Sequence, residues 1–323
     1  MSWAWATWVA MWSERERPEP LAVFRIGVGL VLASTAANML TSGVAVPLLA
    51  AAEHGGMAPD TAAPTFIRWL GGATPHVVTG LLGAVIALSL VLVVGAGGRL
   101  TPLVLGQLAI AMFAMHPGTG GGHDRLLTNG LWLMVLGPAT ATWSLDSKWR
   151  TGRWSDPTPI LAMSRRLALW QLVYMYTLTG LQKQGAAWSL GGSWRALYYT
   201  LLLPTWARYD LRAVVPDLAP LLAISSWIAW WWETLWVALG LWLLAWHPLL
   251  EGTRLRRWVQ RLPGADWRLP FVILGVITHG VLYVLMDLGP FSAVTMVYYV
   301  SLWTDDDTAR LLTWWRGAGP AAD

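Results

Sequence analysis

The chain contains no cysteine, which removes disulfides, thiolate metal sites and thiol nucleophiles. Charge is scarce as well: 12% of its 323 residues are Asp, Glu, Lys or Arg, about half the roughly 25% of a soluble domain. No stretch is polar enough to form a separate soluble domain. There is no P-loop, no nucleophile elbow and no HExxH pair. GTGGGH, residues 118–123, departs from the dinucleotide-binding pattern, follows no strand and reads as a flexible turn. His116, His123 and Asp124 imitate metal ligands without a metal-binding spacing, so no metal is expected. The opening MSWAWATWVAMWSERERPEP lacks the basic start and small-residue cleavage site of a secretory signal.

What the sequence holds instead is apolar mass: 55% hydrophobic residues, 25 of them tryptophan, and a mean hydropathy of +0.48. Repeated apolar runs of about 20 residues point to an all-α, polytopic helical bundle in a membrane, since lipid leaves no partner for an unpaired backbone group. Eight spans are expected, at roughly 21–40, 75–96, 100–116, 125–145, 167–187, 221–247, 269–287 and 289–303. The organisation expected is an interfacial segment over 1–20 carrying Trp3, Trp8 and Trp12, a membrane domain over 21–304, and a capped amphipathic tail over 305–323. No internal repeat is evident.

Charge placement gives the orientation. With the N-terminus inside, the inner segments collect fifteen Lys and Arg residues, including Lys148, Arg150, Arg153, Arg165 and Arg166 in one loop. The outer segments hold four: Arg68, Arg195, Arg208 and Arg212. That bias places both termini in the cytoplasm of an inner-membrane protein.

Four ionisable groups then fall at membrane depth or at its outer mouth: Lys183, Glu233, His279 and His123. Lys183 sits four residues inside the fifth span, where its amine could simply snorkel to the headgroups. Glu233 lies mid-span, where a bare carboxylate costs about 2.5–3.5 kcal/mol even on lenient scales. It must be protonated, paired or turned to an internal cavity; a helix-to-helix hydrogen bond is the bland alternative, for it and for His279. Taken together, the four suggest one polar pocket open to the outside. Desolvation there would disfavour a charged ammonium and make a neutral amine accessible.

Several landmarks in order carry a resemblance: LAVFRIGVGL at 21–30, GGHDRLLTNGLWLMVLGPATATWSLDS closing on Trp143-Ser144-Leu145-Asp146, YTLTGLQKQGAAW around Gly180 and Lys183, and THGVLYVLMDLGPFSAVTMVYYVSLW after His279. From about 20 to 304 the chain resembles the vitamin K-dependent gamma-carboxylase family in its bacterial form, the horizontally transferred transmembrane (HTTM) domain. The resemblance implies that Lys183 is the base that deprotonates a reduced quinone and that His123 assists at the oxygenated stage. It implies less defined polar roles for His279 and Glu233. In the family's chemistry the quinol anion reacts with O2 to give a strong base, which takes a proton from a glutamate side chain to which CO2 adds. Trp230, Trp231 and Trp236 are candidates for a flat apolar quinone slot. Animal members continue into a lumenal domain that holds the protein substrate; here the outer loops 41–74 and 188–220 are the material for gripping a peptide. A non-catalytic subunit packed against partner proteins or pigments in a larger complex is the alternative. A proton-relay transporter using Glu233 and His279 is disfavoured by the missing inverted repeat.

Overall fold

A computed structural model describes residues 3–59, 63–188, 192–262 and 264–315. It is helical: among the described residues, named strands are confined to a two-residue antiparallel pair, Arg15–Glu16 with Ile160–Leu161. Among the described residues, four helices are long and apolar enough to cross a bilayer: Glu19–Thr41, Pro75–Val94, Ala219–Ala245 and Arg268–Leu285. All four fall on expected spans. The other expected spans correspond to Leu100–Ala114, His123–Leu136, Met163–Gln182, and Phe291–Tyr298 continued by a 3-10 turn to Leu302.

Length separates the two groups. At about 1.5 Å per residue, a helix of 14 or 15 residues rises only some 21–23 Å, short of the ~30 Å hydrocarbon layer. Met163–Gln182 has 20 residues, but Arg165 and Arg166 occupy its first turn. The fourth expected span stops at Leu136 instead of reaching 145, because Gly137 is extended and Pro138 follows it. Proline has no N–H for the helix ladder and pushes the preceding residue out of helical backbone.

The chain forms two compact units. One comprises Trp12–Arg166 and Gly289–Asp323. In it, Glu19–Thr41 packs on Pro75–Val94 through Gly29, where a β-carbon would stand 2.7 Å from the Val93 side chain. Phe24 meets Tyr298 edge-on at 4.9 Å, and the Tyr298 hydroxyl donates to the Leu126 carbonyl at 2.7 Å. Arg25 is fully buried and donates through Nη2 to the carbonyl of Trp143 at 2.6 Å. Asp146 accepts from the N–H groups of Gly97 at 3.1 Å and Gly98 at 2.6 Å, fixing that turn against the Ser144-capped helix Leu145–Thr151. Three arginines are paired: Arg165 with Glu16 at 2.5 Å, Arg166 with Glu14, and Arg17 with Glu19 at 2.6 Å. Of the expected tail over 305–323, Asp305–Trp315 is helical, with Thr304 and Asp307 capping its start reciprocally, and 316–323 lie outside the described residues.

The second unit comprises Met1–Met11 and Leu167–Leu288. The N-terminal helix Trp3–Ser13 begins in it, with Trp5 and Trp8 exposed. Leu201, Val215, Leu222 and Met286 form a small core. The chain after the short helix Ala196–Leu202 is tied to the end of Arg268–Leu285 by Arg208 N–H to Leu285 C=O and Asp287 N–H to Trp206 C=O, each 2.9 Å.

Candidate functional site

Gly180 sets the geometry. A β-carbon at this position would lie 2.7 Å from the backbone nitrogen of Thr234, so Met163–Gln182 and Ala219–Thr234 approach backbone to backbone. Small residues permit such approaches between membrane helices. Three residues later, Lys183 reaches across and donates through Nζ to both carboxylate oxygens of Glu233 at 2.5 Å. Their side chains are 24% and 15% exposed. Trp188 covers the amine, its ring centre 4.6 Å from Nζ, and the Thr179 hydroxyl lies within reach of the carboxylate.

Lys183 is not inside the helix as the sequence suggests. The helix ends at Gln182, and Lys183 N–H bonds back to the Gly180 carbonyl at 3.2 Å. A cation is at home there, among carbonyls that lack helical partners. Pairing with Glu233, rather than solvation by headgroups, holds its amine. The pair is neutral as a whole whether the shared proton sits on nitrogen or oxygen, so the proton can move without placing net charge in the apolar interior.

His279 has a different partner. Its Nε2 lies 2.7 Å from the Tyr176 hydroxyl, and both side chains are buried. Tyr176 stacks on Trp236 at 4.7 Å and meets Trp232 edge-on at 4.6 Å; the Trp232 indole donates to the Phe271 carbonyl at 3.2 Å. The three candidate slot tryptophans therefore divide. Trp236, with no exposed surface, belongs to the Tyr176 cluster. Trp230 and Trp231 meet edge-on at 4.9 Å, with Trp194 5.9 Å from Trp230. The indole nitrogens of Trp230 and Trp231 are buried and have no hydrogen-bond partner among the described residues.

His123 belongs to the Trp12–Arg166 unit. It is the first residue of His123–Leu136, packed between Phe113, 5.6 Å away ring to ring, and the glycines at 121 and 289. Its Nε2 lies 3.0 Å from the Thr119 carbonyl. A carbonyl only accepts, so Nε2 carries the proton and Nδ1 keeps its lone pair, which meets no partner among the described residues. Among the described residues no three His, Asp or Glu side chains are grouped to hold a metal ion.

Tyr176, Thr179 and Trp232 go unnoticed in the sequence, and Trp188 is seen there only as the tryptophan that closes YTLTGLQKQGAAW. A signal for Tyr176 exists: it precedes Gly180 by four residues, about one helical turn, and so shares its face. Comparison with protein-family models, curated proteins and solved structures returns no match.

Proposed function

We propose that this chain is an integral membrane protein of the HTTM, vitamin K-dependent carboxylase-like type that acts on a reduced quinone at the outer face of the inner membrane. In this reading all eight apolar segments cross the membrane and both termini are cytoplasmic. The contact between Lys183 and Glu233 carries the proposal: a proton acceptor and its counter-charge, built at the junction of two apolar helices. The unpartnered indole N–H groups of Trp230 and Trp231 suit a flat ring bearing oxygens.

When bound, the quinol supplies two reducing equivalents and a ring hydroxyl whose loss of a proton opens its reaction with O2. With the pair's shared proton resting on Glu233, Lys183 Nζ is the neutral amine that would accept the quinol proton, and the resulting ammonium and the quinol anion balance each other. Thr179 orients the carboxylate, and Trp188 keeps water from the amine. The resemblance assigns His123 a second acid–base position, and Nδ1 is the atom with a lone pair to use. Carboxylation of a glutamate side chain, with CO2 as the second co-substrate, is the reaction this chemistry serves in the family.

The test is the rate of reduced-naphthoquinone oxidation under O2 by the chain in lipid nanodiscs. Lys183→Ala is expected to lower it by about 10²–10⁴-fold, the usual worth of a positioned base. An unchanged rate removes the enzymatic reading and leaves the fold as a non-catalytic subunit, in which case affinity capture should recover stoichiometric partners.

A further inference from the structure

Two exposed tryptophans stand on a tightly bonded loop of the Trp12–Arg166 unit. Trp149 is 70% exposed and Trp154 50%, yet the backbone that carries them is fixed. The Trp143 N–H donates to the Trp154 carbonyl at 2.6 Å. The buried Ser147 hydroxyl donates to the Arg153 carbonyl at 3.0 Å, and the Lys148 amine to the Gly152 carbonyl at 2.8 Å. Asp156 accepts from Arg150 at 3.2 Å, and its N–H donates to the Thr142 hydroxyl at 2.9 Å. The fold thus holds both indoles out of the core, and side chains presented on a fixed backbone lose little freedom on docking.

Asp146 sets the level at which this loop lies. Its carboxylate holds the N–H groups of Gly97 and Gly98, and that turn follows Gly95, whose φ of 72° ends Pro75–Val94. That helix is long and apolar enough to cross a bilayer, and where it leaves the hydrocarbon the loop meets the headgroups. Tryptophan is enriched at that level. The charges complete the surface. Arg99, one residue past the fixed turn, and Arg153 are exposed, and their guanidinium groups have no hydrogen-bond or ion-pair partner among the described residues. Both carboxylates of the loop, Asp146 and Asp156, are occupied.

We propose that Trp149, Trp154, Arg99 and Arg153 form a docking surface for anionic phospholipid headgroups, the indoles seated among the glycerol backbones and the guanidinium groups on phosphodiester oxygens. The planar guanidinium fork matches phosphate and is weakly hydrated. An anionic lipid is favoured over a zwitterionic one because neither carboxylate of the loop is left to meet an ammonium. The surface needs Pro75–Val94 to cross the membrane and nothing of the quinol reading, so the two fail separately.

The test places one spin-labelled cysteine at the exposed Ser155, beside Trp154, in the full chain, which has no cysteine of its own. Its collisions with a neutral nickel chelate are compared in nanodiscs of phosphatidylcholine alone and of phosphatidylcholine mixed with phosphatidylglycerol. Fewer collisions are expected in the mixed lipid. Arg99→Gln with Arg153→Gln should weaken the apparent affinity for phosphatidylglycerol about 30-fold, roughly five-fold per guanidinium, and so abolish the difference. Arg68→Gln with Arg195→Gln, which removes the same charge from exposed positions elsewhere, should keep it. A wild-type label equally accessible in the two lipids overturns the proposal, a comparison that needs no arginine variant. So does a difference that survives Arg99→Gln with Arg153→Gln. Protection reproduced by inorganic phosphate in phosphatidylcholine discs would make this a free-ion site, and protection that appears only with an added soluble protein fraction would make it a protein interface; either result overturns the lipid assignment.

Discussion

Lys183 and Glu233 are fifty residues apart in sequence and in contact in the fold. Either charge alone is expensive at the edge of an apolar layer; together they offset each other. Glu233→Ala leaves an ammonium without its counter-charge and is expected to cost about 3 kcal/mol, the low end for breaking a buried pair because both groups keep some exposure. Thermal unfolding of the detergent-solubilised chain measures this. Both residues stand out in the sequence because charge is so rare around them. That they meet is not legible there, since the meeting depends on the close approach at Gly180. Tyr176 is harder still: a tyrosine in an apolar helix reads as core until its hydroxyl is found against His279. The tryptophans mislead in the opposite way. Trp230, Trp231 and Trp236 are neighbours in sequence, yet a helix turns about 100° per residue and sends Trp236 to the Tyr176 cluster and the other two elsewhere.

At the scale of the element, close backbone approaches are the sensitive points. Gly180→Ala is expected to push the two helices apart at Thr234, cost about 1–3 kcal/mol as an overpacked contact, and lower quinol oxidation by separating Lys183 from Glu233. A stability and rate equal to wild type would show that the approach is loose. The loop between Leu145–Thr151 and Met163–Gln182 carries a pH prediction. Hydrogen bonds from the Thr158 hydroxyl and N–H, together with Arg150, hold the Asp156 carboxyl below the usual carboxylate range. A depressed carboxyl contributes stability that is present above its unfolded value and lost as pH falls through the folded one. The loop around Trp143 and Trp154 should therefore stay ordered down to about pH 4 and loosen below it. Tryptophan emission should report the transition, and Asp156→Asn should remove it. Helix existence was readable from the apolar runs in every expected span. Helix ends were less so: Gly137-Pro138 stops one helix nine residues before the expected limit at 145, and Lys183 lies just past another.

At the scale of the whole chain, composition decides the class and the lysine and arginine distribution predicts the orientation. The absence of cysteine makes the orientation directly measurable. Single cysteines at the exposed positions Ser13, Ser155 and Ser193 serve as reporters. An impermeant maleimide should label Ser193→Cys on intact cells, and Ser13→Cys and Ser155→Cys only after permeabilisation; the reverse pattern would invert the assignment. The division into two compact units was not legible, because every apolar span looks alike to a hydropathy count and only packing sorts them. The account rests most heavily on Lys183 and Glu233 performing chemistry rather than merely joining two helices. Replacing the pair at once, Lys183→Met with Glu233→Leu, separates those roles, because apolar residues of similar volume often hold a buried contact as well as two charges do. Oxygen uptake driven by reduced naphthoquinone is the quantity to measure. The account predicts a folded, membrane-inserted double variant with no uptake above background, whereas uptake at the wild-type rate would contradict it.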